Sequence, residues 1–197
     1  MGAEGKMTMR VVWAMNVAPP YRLPVWDALS RLVELEVWLL AANEHTRRWS
    51  LPCTKQYGVT LLRAVGLRRG EAVHYVLTHQ PGIKVPIPDV IVLPGWDSPA
   101  AWQLMLWAHR RGVKTLAFAE STLESHEYQH GIVDRSRSWF YRHADRVLTV
   151  SPGSTDAVLA AGVPRSRITE LVNSVDVQTM SQGASRVSRP RLRGPHT

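Results

Sequence analysis

Two carboxylates stand where apolar runs stop. Val90-Ile91-Val92-Leu93 leads into Pro94-Gly95-Trp96-Asp97-Ser98-Pro99, and Lys114-Thr115-Leu116-Ala117-Phe118-Ala119 leads into Glu120-Ser121. A helical pattern lies between them. Residues 88–120 therefore predict strand, helix, strand, with both strands buried on both faces. In an open parallel sheet, ligands bind outside the carboxyl ends of the strands. Gly95, Trp96, Asp97, Glu120 and Ser121 are the first candidates for chemistry.

A second pattern competes with this one. His126-Glu127-Tyr128-Gln129-His130 fits H-E-x-x-H, in which two His on one helical face hold zinc and the Glu is a general base. Three features weigh against a zinc hydrolase. Eight His make a chance match easy. Glu124 brings a charge into a stretch that such enzymes keep apolar. Val133 stands where the extended H-E-x-x-H-x-x-G-x-x-H form requires Gly. No metal is expected. The loop after the first strand, Asn16-Val17-Ala18-Pro19-Pro20, is not G-x-G-x-x-G, and neither a P-loop nor a G-x-S-x-G elbow occurs. Nicotinamide, P-loop and α/β-hydrolase chemistries lose their usual signatures. Cys53 is the single Cys, which excludes an intramolecular disulfide framework and suits a reducing compartment.

The elements that must position these groups alternate along the chain. Residues 10–15 are a buried strand, and paired Pro at 19 and 20 make the loop that follows. Leu23, Trp26, Leu29 and Val33 recur at helical spacing, and residues 35–40 form a second strand. Residues 42–52 read as loop, 59–62 as a third strand and 66–70 as a basic turn; 71–79 fits a helix or a strand. Ser98-Pro99 predicts a capped helix start, with Trp102, Met105, Leu106 and His109 on its apolar face and Gly112 at its close. After the strand at 114–119, residues 121–131 read as loop, and Ile132, Ser136, Trp139, Phe140 and His143 mark a helix face. Strands at 145–150 and 168–172 flank a short helix at 156–161. Six or seven strands alternating with helices predict an α/β, Rossmann-like doubly wound fold with a mostly parallel sheet. Residues 9–177 are expected to form one domain. Residues 178–197, poor in apolar side chains, are expected to be a disordered basic tail.

The formal charge is +8, but four Arg and no acid lie from Arg186 onward, and without them the balance is 20 basic to 16 acidic residues. Nucleic acid is not an expected partner, since no recognition motif accompanies the charge. A basic face resting on anionic lipid is the membrane expectation, against a merely solvated surface. No apolar run reaches spanning length, and residues 1–9 lack a signal-peptide core.

Four segments, taken in order, resemble the N-terminal half of a GT-B retaining glycosyltransferase of the family 4 group. They are Pro19-Pro20-Tyr21-Arg22-Leu23-Pro24-Val25-Trp26, then Pro88-Asp89-Val90-Ile91, then Ala144-Asp145-Arg146-Val147-Leu148-Thr149-Val150-Ser151. The last is Ala161-Gly162-Val163-Pro164 followed by Asn173-Ser174-Val175-Asp176, where Ser174 departs from the usual Gly. The resemblance implies transfer of a sugar from a nucleotide-sugar donor to a sugar or lipid-linked acceptor, without a metal cofactor. It implies a cytoplasmic location, with peripheral contact at the inner face of the membrane as an extension. It also implies a donor-binding domain, here expected on a separate domain or chain because residues 177–197 lack its pattern, so the chain alone is expected to be inactive. Within this half the resemblance puts Asn16, Tyr21 and Arg22 at a cleft edge, Arg22 facing a phosphate or carboxylate. Gly95, Trp96, Asp97 and Ser121 become acceptor contacts, with Trp96 as a stacking platform, and Glu120 takes the catalytic position. A binding module without catalysis is the alternative.

Overall fold

Sequence order and sheet order part company at one place, and that place organises the molecule. A computed structural model describes residues 8–44, 49, 51–52, 54–70, 72–79, 86–125, 130–171, 173–174, 176–177 and 181. Its strands are β1 (Arg10–Met15), β2 (Glu34–Leu39), β3 (Gly58–Leu61), β4 (Ala64–Arg69), β5 (Ala72–Leu77), β6 (Val90–Leu93), β7 (Lys114–Ala119), β8 (Arg146–Thr149) and β9 (Ile168–Glu170). Its helices are α1 (Leu23–Leu29), α2 (Pro99–His109), α3 (Gly131–His143) and α4 (Pro152–Ala160). Seven strands form one parallel sheet in the order β3-β2-β1-β6-β7-β8-β9. The chain runs outward from β1 to β3, then returns to the other side of β1. The loops leaving β1 and β6 consequently diverge and open a crevice at the carboxyl edge. This is the expected α/β, Rossmann-like doubly wound fold.

Alternation along each strand supplies two cores. Val12 and Ala14 of β1 join Ile91, Leu93, Ala117 and Val147 under α2, α3 and α4. Val11 and Trp13 turn the other way and join Val37, Leu39 and Val92 under α1. Trp26 of α1 is fully buried there, edge-on to Trp13 at 6.5 Å and to Tyr57 at 6.2 Å. Such aromatic pairs contribute about 1 kcal/mol beyond their buried area. Burial also pushes the Tyr57 hydroxyl up to about 12, with the Asp27 carboxylate adding to the effect.

Several sequence expectations need correction. The basic turn at 66–70 is mostly strand: Gly66 lies within β4, and Gly70 alone, at φ 62°, makes the turn into β5. The ambiguous stretch at 71–79 is therefore the second strand of a hairpin, separate from the main sheet. Ser98 occupies the N-cap position of α2 but makes no side-chain cap bond, because its hydroxyl is engaged by Tyr75 of that hairpin. The apolar face of α2 is also broader than the one expected. Leu104, Trp107 and Ala108 are buried while Leu106 is half exposed, since the helix packs against β6 and β7 on one side and β5 on the other. In α3, Phe140 is buried but Ile132 faces solvent, and Arg137 and Tyr141 are buried where no apolar periodicity marked them. The helix expected at 156–161 starts earlier, at Pro152, because Ser151 and Ser154 close a reciprocal capping box there. The expected tail at 178–197 lies, apart from Ser181, outside the described residues.

Candidate cleft at the sheet switch point

A cavity of about 700 Å³ sits at the carboxyl ends of β1, β6 and β7. The loops after these strands line it because every parallel strand must release its chain at this edge. Asn16, Tyr21 and Arg22 come from the β1 loop, Gly95, Trp96 and Asp97 from the β6 loop, and Glu120 and Ser121 from the end of β7. All eight residues chosen from the sequence thus share one cavity.

Their roles within it differ. Arg22 is only 2% exposed, so it does not present its charge to the cleft as expected. Its Nη2 donates to Glu120 Oε1 at 3.0 Å, and its guanidinium lies over Phe118 at 4.7 Å, with Tyr21 at 5.6 Å and Trp13 at 5.9 Å. The aromatic surround offers attraction to a cation without hydrogen-bond acceptors. Arg22 Nε is accordingly buried with no partner. Asn173, from the loop after β9, also donates to Glu120 Oε1, at 3.4 Å. Glu120 is therefore fixed through one oxygen, and among the described residues no donor reaches Oε2. Its side chain is 54% exposed, so Oε2 can accept from a ligand hydroxyl.

On the facing wall, Trp96 is half-buried, and the Arg137 guanidinium lies 5.6 Å from its ring. Arg137 is itself buried and paired with Asp134 in the first turn of α3. The Trp96 carbonyl accepts from Trp102 Nε1 at 2.7 Å, which fixes the loop. Asp97 is exposed, and its Oδ1 lies 3.0 Å from where a side chain at Gly95 would begin. Any larger residue at Gly95 would crowd that carboxylate. Asn16 Oδ1 is buried without a partner. Tyr21 and Ser121 are exposed at the rim. Two carboxylates, a ring and an orphan amide oxygen form a set suited to a neutral, hydroxyl-rich ligand.

Sequence reasoning missed four side chains that complete the wall: Arg69, His74, Arg137 and Tyr141. His74 Nδ1 lies 2.8 Å from the Asp97 carbonyl. A carbonyl only accepts, so Nδ1 carries the proton and Nε2 is an acceptor in the neutral ring. Tyr141 is held well above the usual phenol range, chiefly by burial, with the Asp97 and Glu120 charges adding and Arg137 opposing. It remains a hydrogen-bond donor at any ordinary pH. The only sequence signal for Arg137 and Tyr141 was their i, i+4 spacing on α3. His74 and Arg69 had none, because the hairpin itself was ambiguous. The alternative zinc pattern stands apart. His126 and Glu127 lie outside the described residues, and His130 is exposed at the N-cap position of α3. Among the described residues no group of three His, Cys, Asp or Glu is disposed to hold a metal ion, and no helix is long and apolar enough to cross a membrane.

A sequence profile described as a glycosyl transferase 4-like domain matches residues 6–173. The chain belongs to that family. The match covers the cavity-lining residues and the first three segments that carried the resemblance, and it ends at Asn173 within the fourth. No curated protein matches the chain significantly. Solved structures resemble this glycosyl transferase 4-like domain in fold. HepE of Anabaena, in complex with UDP and glucose, shares 12% identity at a TM-score of 0.53, over 90% of this chain and 50% of its own. HepE in complex with UDP-glucose shares 13% at 0.52, over 90% and 50%. The UDP-N-acetylglucosamine 2-epimerase of Rickettsia bellii shares 9% at 0.51, over 91% and 48%. The domain spans about half the length of these structures.

Proposed function

We propose that this chain forms the acceptor-side wall of a glycosyl-transfer site. The reaction is movement of a sugar from a nucleotide-sugar donor to a hydroxyl of a sugar or lipid-linked acceptor. One observation carries this reading: a family 4-like domain whose eight sequence-chosen residues converge on a single cleft at the sheet's switch point. In this reading Trp96 stacks on the acceptor ring, while Asp97 and Glu120 Oε2 accept from its hydroxyls and so aim one of them. The opposite wall is assigned to a nucleotide-sugar-binding domain, on the same polypeptide or another. That assignment draws support from the half-length match to HepE, whose structure holds UDP and glucose. No resident metal is invoked. Positioning both reactants is the larger part of such catalysis, so this half alone is expected to transfer little.

A second reading is sugar binding without transfer. It is favoured by the pairing of Glu120 Oε1 to both Arg22 and Asn173, which commits that oxygen to contacts within the protein. Both readings require the cleft to bind sugar. Titration of the chain with mono- and disaccharides, followed by tryptophan fluorescence, tests that requirement. Trp96→Ala should weaken binding about tenfold, and Trp96→Phe should retain most of it. Unchanged binding by Trp96→Ala would sink the assignment of the cleft.

A further inference from the structure

The positive charge of this chain is concentrated. Residues 45–88, which run from the loop before β3 through the crossover between the two halves of the sheet, contain seven Lys or Arg and one acid, Glu71, a net of +6 against +8 for the whole chain. The β4–β5 hairpin lies in this crossover, and its two faces differ. Ala64, Val73, Tyr75 and Leu77 pack into the core. Directly opposed residues of an antiparallel pair share a face, so Val65 with Val76, Leu67 with His74, and Arg69 with Ala72 form the other one. On that face Val65 is 51% and Leu67 56% exposed. Toward the tip the same face becomes cleft wall, because Arg69, Ala72 and His74 line the cavity. Proteins blunt open edge strands with charge, but here the apolar pair is retained beside charges of a single sign.

We infer that the outer face of the β4–β5 hairpin docks on an anionic lipid surface. Val65 and Leu67 enter the headgroup layer, and Arg63 and Arg69 meet lipid phosphates. Two apolar side chains give marginal attachment alone, and each basic residue at such a surface adds about fivefold in affinity. The same contact brings the mouth of the cleft to the membrane, where the sugar of a lipid-linked acceptor would be displayed. Docking is independent of the transferase reading, since it needs neither donor nor acceptor.

Co-sedimentation of the full chain with vesicles tests this directly. Vesicles of phosphatidylcholine with an equal part of phosphatidylglycerol should bind the chain, and phosphatidylcholine alone should bind it about tenfold less. Raising salt to about 0.5 M should release most of it. Leu67→Glu and Val65→Glu should each weaken binding about tenfold with an unchanged circular dichroism spectrum. If the Glu variants unfold, Leu67→Ser should still weaken binding by a measurable factor. Equal binding to both vesicle types, no binding to either, or wild-type binding by Leu67→Ser would overturn the inference. So would self-association of the chain that Leu67→Ser abolishes while vesicles bind nothing, since that would give the face to a second copy. Sugar binding through Trp96 is measured separately, so docking and the functional reading can fail independently.

Discussion

Ser98 and Tyr75 are joined by two hydrogen bonds through one hydroxyl. The Tyr75 amide donates to Ser98 Oγ at 2.8 Å, and Ser98 Oγ donates to the Tyr75 carbonyl at 2.9 Å. Two residues along β5, the Gln103 amide repeats the pattern with Leu77, at 2.7 Å and 3.1 Å. Side chains of α2 thus stand in for a neighbouring strand and satisfy the inner edge of the hairpin. Ser98→Ala leaves a buried N–H and C=O without partners, which should cost about 2 kcal/mol. The Tyr75 amide should also lose hydrogen-exchange protection before the core amides do. Equal urea midpoints and equal Tyr75 exchange for wild type and variant would contradict this account.

The Arg22–Glu120 pair leads to a separation of stability from binding. Arg22 is buried with an orphan Nε, whereas Glu120 can hydrate once released. Arg22→Met fills the aromatic surround, removes the orphan donor and strands no buried charge. Its unfolding free energy should stay within about 1 kcal/mol of wild type. Acceptor binding should still weaken, because Glu120 loses the contact that aims it. A large stability loss, measured by urea unfolding, would mean that the pair is chiefly structural.

How far the sequence reached depends on what each residue is coupled to. Strand ends are fixed by apolar runs of four to six residues, and topology then forces Trp96, Asp97 and Glu120 onto one edge. That part was legible. The burial of Arg22 was not, because its partners Phe118 and Glu120 lie far along the chain and no local pattern links them. The hairpin was missed for a related reason. Its outer face exposes Val65 and Leu67, so β4 lacks the alternation that marks a half-buried strand. Arg137 reads as a surface residue until Asp134 and Trp96 are seen around it.

Acid should weaken the join between β7 and β8 through Asp145. Burial alone would raise its pKa. The Lys114 ammonium and the backbone and hydroxyl of Thr115 outweigh it and hold the carboxyl below the usual value. A depressed folded-state pKa contributes stability that is fully present above the unfolded value and is lost as pH falls through the folded one. The stability advantage of wild type over Asp145→Asn should therefore be constant from neutral pH down to about pH 5 and shrink below about pH 4. Urea unfolding of both proteins across that range checks it. An advantage that grew with acidity would reverse the sign and reject the assignment.

Glu120→Gln separates a carboxylate that aims the acceptor from one that removes its proton. Gln keeps the shape and one acceptor oxygen, so the contact from Arg22 can persist without the charge. Because Oε1 is already committed to Arg22 and Asn173, aiming is the role expected for Oε2. In the proposed assembly with a donor-binding domain, Glu120→Gln should raise the acceptor KM about tenfold and change kcat by less than about threefold, the signature of lost binding shared by ground and transition states. A fall in kcat of about a hundredfold or more, with KM unchanged, would instead make Glu120 the general base. The pH profile gives an independent reading, since removal of a base abolishes the acidic limb of kcat, whereas loss of an aiming contact leaves it in place.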